Sequence, residues 1–294
     1  MISILSGRKQ QTKDVARRMN IKCIALDLDR TTLNAEGRLS AGNKGAIEAA
    51  IAIGVHVVIA SGRAFDTLPE EVLAIPGIEY AITCNGAAIY HVPTKKCLKK
   101  YQLSKEAVET VMKVTAGETV MYEAFIDGIA YAGKEYIEDP VRFGATPQAV
   151  KYVQETRHMQ DDIVRFIHER KEHLDSMDVI VKNESKKREL WNRIAQATDE
   201  VYITSSVVQL IEIANRNAGK KSGLAFITDM LGIRIEETAA FGDADNDVDM
   251  LRFAGHGIAV ENASDTCKAA ADDITKRHDE DGVAYGMREI LKIF

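Results

Sequence analysis

Two carboxylates two residues apart, Asp27 and Asp29, follow directly on the apolar run of residues 21–26. A run of that length predicts a buried strand, and in an open α/β sheet ligands bind at the carboxyl ends of strands. Side chains alternate along a strand, so an extended Asp27-Leu28-Asp29 would send both carboxylates to one side. Two like charges that close repel unless a cation or a shared proton holds them. Mg²⁺ is the simplest solution, because hard cations take carboxylate oxygens. Asp-x-Asp is also ordinary solvated turn chemistry, so the rest of the chain has to decide.

Three further groups fall where elements start or stop. Ser61-Gly62-Arg63 ends a second β-rich run, and offers a hydroxyl, a guanidinium and a glycine that lets backbone N–H groups approach an anion. Gly219-Lys220-Lys221-Ser222-Gly223 opens a helical pattern. Cations there oppose the helix dipole, a mild misfit that asks for an anion. Gly242-Asp243-Ala244-Asp245-Asn246-Asp247 crowds acidic and amide groups into one loop, without the spaced ligands and terminal Glu of an EF-hand. Each alone is more often a loop or a solvated face than a site. In this order, each at an element boundary, they fit phosphoryl transfer. A dianionic phosphate needs metal and Lys for its charge, hydroxyl donors, and an in-line nucleophile. A carboxylate can be that nucleophile, forming an aspartyl-phosphate, and a second carboxylate can move protons.

The elements that must position these groups alternate. Strand signals at 21–26, 55–60 and 80–83 are separated by helical patterns at 40–53 and after residue 64. The alternation resumes with a helix at 223–231, a strand at 237–241, a helix at 248–254, a strand at 257–260 and a helix at 263–271. This predicts an α/β fold with a doubly wound, Rossmann-like parallel sheet. Residues 87–213 read differently. A helix at 104–115 precedes strands at 119–125 and 129–131 around Asp127-Gly128, a hairpin signal. A helix at 185–197 precedes strands at 201–204 and 207–213. The expectation is an inserted α+β cap domain over 87–213, with the core formed by 21–86 and 214–294. Residues 132–160 carry no clear pattern.

A chain of 294 residues has room for two domains, and 46% apolar with 28% charged residues is an ordinary globular composition. The net charge of −6 argues against nucleic acid as the main partner, since backbone phosphates need a basic surface. No apolar run reaches membrane-spanning length, and residues 1–20 lack a signal peptide's apolar core, so they read as a leader. Four scattered cysteines, Cys23, Cys84, Cys97 and Cys267, fit reduced thiols and a cytoplasmic setting rather than a zinc site. A monomer or homodimer acting on a small phosphorylated metabolite is expected.

Asp27-Leu28-Asp29-Arg30-Thr31, Ser61, Lys220 and Gly242-Asp243-x-x-Asn246-Asp247 resemble the four motifs of the haloacid dehalogenase superfamily. The insertion resembles the type-two cap of its Cof-like sugar-phosphate phosphatases. Stretches 257–263 and 280–284 also resemble that group. The resemblance implies Asp27 as nucleophile and Asp29 as general acid/base. It implies Mg²⁺ on the Asp27 carboxylate, the Asp29 backbone carbonyl and Asp243, with Asp247 as ligand or neighbour. Thr31, Ser61, Gly62, Lys220 and Asn246 would hold the phosphoryl group, and Arg63 and Asn85 would help hold substrate. Lys220 suits the family pattern better than Lys221. A phosphomutase of the same superfamily and a non-catalytic sensor are the rival functions. Two departures stand out: Ser61 replaces the commoner Thr, and Arg30 stands where the Cof-like pattern has Gly. Arg30 either turns outward to solvent or narrows the entrance.

Overall fold

The structure, a computed structural model, describes residues 20–294, so the expected leader lies outside the described residues except for Asn20. The strands are β1 (Cys23–Leu26), β2 (His56–Ala60), β3 (Tyr80–Thr83), β4 (Ala88–His91), β5 (Lys96–Lys100), β6 (Met121–Ile126), β7 (Ile129–Gly133), β8 (His158–Gln160), β9 (Ser176–Ile180), β10 (Val201–Thr204), β11 (Leu210–Asn215), β12 (Thr238–Gly242), β13 (His256–Val260) and β14 (Asp273–Thr275). They form two sheets, one of eight strands in the order β14-β13-β12-β1-β2-β3-β4-β5 and one of six in the order β10-β11-β9-β6-β7-β8.

From β14 to β3 the large sheet is parallel. Its central strand β1 is buried along its whole length, as a strand covered on both faces must be. Alternate side chains serve opposite layers. Ile24 and Leu26 pack with Ile47 of helix Ala41–Ala52 and with Met287, while Cys23 and Ala25 pack with Leu224 and Ile227 of helix Lys220–Leu231. Ser40 caps the first of these helices, accepting from Asn43 N–H. The chain runs outward from β1 through β2 and β3, then returns to build β12, β13 and β14 on the other side. The order therefore reverses between β1 and β12, the point where open α/β sheets open a binding crevice. Leu26 sits opposite Phe241 in register, which brings the residues after both strands, Asp27 and Asp243, to the same crevice.

The expected cap boundary at residue 87 needs correction. β4 and β5 are antiparallel additions to the edge of the large sheet, so the insertion begins only after Lys100. The cause is local. Cys84, Asn85 and Gly86 all have positive φ (47°, 52° and 88°), which reverses the chain after β3 instead of releasing it. A Cβ at Gly86 would lie 2.1 Å from the Gly219 carbonyl oxygen, so only glycine permits this approach.

In the smaller sheet, Tyr122, Ala124, Met177, Val179, Ile211 and Ile213 pack under helices Lys105–Thr115, Ile163–Arg170 and Glu184–Ala197. The opposite face looks toward the crevice. Both expected helix–strand–strand units are present, and β6 and β7 form the hairpin that Asp127-Gly128 signals. Residues 132–160 hold the end of β7, the helices Lys134–Glu138 and Ala149–Thr156, and β8. Among the described residues no helix is long and apolar enough to cross a membrane, and all four cysteines are free thiols.

Candidate active site

Asp27 leaves β1 with its N–H bonded to the Phe241 carbonyl and its side chain buried. Lys220, the first residue of its helix, is fully buried and reaches across to it. Its Nζ donates to Asp27 Oδ1 and to Asp247 Oδ1, each at 2.6 Å. Asp247 Oδ2 in turn accepts from the N–H groups of Asp243 and Ala244 at 2.9 and 3.1 Å. Thr31 Oγ1 donates to Asp243 Oδ1 at 3.3 Å. Lys221 is exposed, with its Nζ over the Phe253 ring. The lysine at the site is therefore Lys220. Burial against two carboxylates explains the choice: a fully buried ammonium needs them, while a lysine one position on faces another side of the helix.

Asp27, Asp243 and Asp247 each place a carboxylate oxygen within 4.8 Å of the others. Burial and Asp247 push Asp27 up to about 7, against the pull of Lys220. Burial, Asp27 and Asp247 push Asp243 up to about 8, with Arg30 and Lys220 opposing. Burial alone would depress Lys220, but Asp247 and Asp27 outweigh it and hold the ammonium charged. Three carboxylates against one lysine leave the cluster short of positive charge. Asp27 Oδ2 is buried with no hydrogen-bond partner. An orphaned anionic oxygen among hard oxygen donors fits a divalent cation such as Mg²⁺.

Asp29 is placed differently. Its backbone is extended (φ −71°, ψ 120°), but its carboxylate turns to Arg63, which donates from Nε at 2.8 Å and Nη2 at 2.6 Å. It does not join the carboxylate trio. Arg63 Nη1 also donates to the Thr67 carbonyl at 3.0 Å, and the guanidinium lies against the Tyr152 ring. Arg30 has φ 61° and ψ 13°, the left-handed conformation that favours glycine. Its side chain is exposed at the cavity rim, and its carbonyl accepts from Asn262 Nδ2 at 2.9 Å.

Ser61 is fully buried and its Oγ accepts from Arg63 N–H at 3.1 Å, leaving the hydroxyl proton to donate. Asn246 Nδ2 donates to Asn85 Oδ1 at 2.9 Å, and Asn85 Nδ2 donates to Glu212 Oε1 at 3.2 Å. Asn246 Oδ1 is buried and unpartnered. A Cβ at Gly62 would sit 3.2 Å from Glu212 Oε1, so the loop and the cap are in close contact there. Asp27, Asp29, Gly62, Arg63, Asp243 and Asn246 all line one cavity of about 280 Å³ between the two sheets.

The cavity also has walls that the sequence motifs do not mark: Glu123, Asp178 and Glu212 on the cap sheet, with Arg157 and Tyr152. A single carboxylate interrupting each of three apolar strands was the available signal. It points to a site only when the three strands are known to be neighbours.

The family model for a haloacid dehalogenase-like hydrolase matches residues 24–287. Phosphatase YwpJ of Bacillus subtilis is 32% identical over 92% of this chain and 100% of its own length. The 5-amino-6-(5-phospho-D-ribitylamino)uracil phosphatase YwtE of the same organism is 30% identical over 92% of this chain and 98% of its own. A solved haloacid dehalogenase-like hydrolase from B. subtilis superposes with a TM-score of 0.79 at 28% identity, covering 92% of this chain and 100% of that one. With the carboxylates, Lys220 and the hydroxyl loop gathered where the strand order reverses, the chain belongs to the haloacid dehalogenase-like hydrolases, and it is a phosphatase.

Proposed function

We propose that the protein is a Mg²⁺-dependent phosphatase that hydrolyses a small phosphorylated metabolite, of sugar-phosphate type, through an aspartyl-phosphate on Asp27. The observation that carries it is the Lys220 bridge between Asp27 and Asp247 beside the unpartnered Asp27 Oδ2. The Asp27 and Asp243 carboxylates, the Asp29 backbone carbonyl and Asp247 would hold Mg²⁺. Held there, the ion would supply charge neutralisation for the attacking carboxylate and the phosphoryl group.

The chain's own groups do the rest. Asp27 attacks phosphorus, and the bond to the leaving oxygen breaks as Asp29 gives that oxygen a proton. Asp29 then takes a proton from water as the water attacks the aspartyl-phosphate, returning the Asp27 carboxylate and releasing inorganic phosphate. Lys220 carries fixed positive charge into the site, and the Ser61 hydroxyl is free to donate to a phosphoryl oxygen. Arg63 orients Asp29, and Asn246 offers an acceptor beside the phosphate loop. The cap closes the cavity above them and excludes bulk water.

YwtE is named for a substrate with a phosphorylated ribitylamino chain, so a polyol phosphate of that kind belongs in the substrate screen. Phosphate release from sugar and polyol phosphates, with Mg²⁺ and with chelator, tests the reading. Expected are turnover with Mg²⁺, its loss with chelator, and a fall of about 10³-fold or more in Asp27→Asn. Full activity in Asp27→Asn would remove the nucleophile; steady activity in chelator would remove the metal.

A further inference from the structure

Two stretches that resemble the family, 257–263 and 280–284, take no direct part in the chemistry. The structure connects both to the loop after β1. Asn262 follows β13 and His278 follows β14, in the same parallel half of the sheet that carries β1. Asn262 Nδ2 donates to the Arg30 carbonyl at 2.9 Å. Asn262 Oδ1 accepts from His278 N–H at 3.0 Å and from His278 Nδ1 at 2.8 Å. Asn43 repeats the arrangement two residues along the loop. Its Nδ2 donates to the Thr32 carbonyl at 3.0 Å, and its Oδ1 accepts from Ala284 N–H at 2.9 Å. Two amides, set in the same sense, thus bridge loop carbonyls to N–H groups of the C-terminal segment.

The sense is forced. A flipped Asn262 would set its NH₂ against the His278 N–H and its oxygen against the Arg30 carbonyl. Burial, helped by Arg30 and Arg277 and opposed by Asp279 and Glu36, holds His278 below its ordinary value, which keeps the ring neutral. Its one ring hydrogen is then committed to Asn262 from Nδ1, and Nε2 is buried with no partner. The segment that carries His278 is itself anchored. Ser40 Oγ donates to Asp281 Oδ1 at 2.5 Å, and a Cβ at Gly42 would overlap that carboxylate.

What these bonds hold is a strained turn. Arg30 has φ 61°, a conformation that crowds the Cβ of any residue but glycine. Such a residue persists only where its surroundings over-determine it. The Asp29–Arg30 peptide is planar, so Asp29 ψ and Arg30 φ together set the direction of the Asp29 carbonyl. No side-chain torsion can re-aim a backbone carbonyl. If Arg30 left the left-handed region, that oxygen would swing relative to the Asp27 and Asp243 carboxylates.

We propose that Asn262, oriented by His278, is a positioning residue that keeps Arg30 left-handed and so aims the Asp29 carbonyl at the Mg²⁺ site. This rests on the metal reading and deepens it to the residues that direct one of its ligands. Groups that orient a metal's ligands are part of the site's affinity although they never touch the ion.

Calorimetric titration of Mg²⁺ into the full chain tests it, because stoichiometry reports the folded fraction and affinity is read separately. Asn262→Ala should raise the Mg²⁺ Kd about tenfold or more, the usual effect of removing a group that orients a ligand. His278→Leu, which frees the Asn262 amide to turn, should raise it about threefold or more. His278→Asn restores a side-chain N–H at the position of Nδ1 and should stay within about twofold of wild type. With p-nitrophenyl phosphate, the Mg²⁺ needed for half-maximal turnover should rise in step, while substrate KM at saturating Mg²⁺ stays within about twofold. Thr275→Val is the structural control. It removes the bond from Thr275 Oγ1 to the Gly282 carbonyl, which should lower the melting temperature without moving the Kd. An Asn262→Ala protein that melts lower but binds Mg²⁺ like wild type overturns the proposal, as does equal weakening in Thr275→Val. Equal weakening in His278→Asn and His278→Leu overturns the part given to His278. A wild-type protein that takes up no Mg²⁺ would instead remove the metal reading, so the two failures are distinguishable.

Discussion

The guanidinium of Arg63 grips both oxygens of Asp29 while its face lies 4.3 Å from the centre of the Tyr152 ring on the cap. One side chain of the loop after β2 thus connects Asp29, the proposed acid/base, to the cap. Tyr152 reaches back as well, its hydroxyl donating to Thr67 Oγ1 at 3.3 Å. Asp29 is therefore tied to the cap through a bidentate, stacked contact that only arginine makes.

Arg63→Lys keeps the charge and loses the fork. Turnover of an alkyl phosphate should fall about 10–100-fold, because the proton donor to a poor leaving group is no longer held in place. p-Nitrophenyl phosphate, whose leaving group needs little protonation, should lose much less. Equal losses on the two substrates would show that Arg63 does not act through Asp29.

Lys220 and Lys221 are adjacent and should behave oppositely. Lys220→Met leaves Asp27 and Asp247 buried without their cation, and breaking such a pair costs about 3–5 kcal/mol. Chemical denaturation in chelator should show that loss, with part of it recovered on adding Mg²⁺. Lys221→Ala, on the exposed side of the same helix, should stay within about 0.5 kcal/mol of wild type. Similar stabilities for the two variants would contradict the placement of Lys220.

The carboxylate trio makes the metal-free protein sensitive to alkali. The ordinary value for Asp27 and Asp243 is 3.8, and in the folded protein they are raised to about 7 and about 8. Between those values the folded state binds more protons than the unfolded one, so stability falls as pH rises through the window from about 4 to about 8. Stability from this source is fully present below the unfolded values and gone above the folded ones. Thermal melts in chelator should therefore drop across that range, and the increment from millimolar Mg²⁺ should be larger at about pH 8.5 than at about pH 6. A Mg²⁺ increment that shrinks with rising pH would refute the linkage.

Arg30 pays a backbone cost at φ 61° that glycine does not. Its side chain points outward to the cavity rim, and its carbonyl bond to Asn262 survives any substitution. Arg30→Gly should raise stability by about 1 kcal/mol, visible as a higher melting temperature. A lower melting temperature would mean that the guanidinium contributes more than the strain removes.

Much of this site is legible in the chain because its groups are local and ordered. Asp27, Ser61, Asn85 and Asp243 each follow a short apolar run, and parallel sheets gather such ends on one edge whatever the loops do. The alternation of strands and helices fixes the layer order, and the hairpin at Asp127-Gly128 follows from turn chemistry alone. The cap boundary was not legible. Cys84 and Asn85 adopt left-handed φ that their side chains do not announce, and two strands of the large sheet follow.

What remained for the tertiary structure were the relations between distant residues. Asp29 and Arg63 are 34 residues apart, Asn85 and Glu212 are 127 apart, and no local spacing states their contact. Lys220 separates from Lys221 only through burial. The row Glu123–Asp178–Glu212 exists only because β6, β9 and β11 are neighbours in one register, and a shift of one residue would turn all three carboxylates to the other face. The sequence alone determined which chemical groups stand at the strand ends, since periodicity and turn chemistry are local. Strand register and packing decided which of them meet, because those contacts join segments the chain keeps far apart.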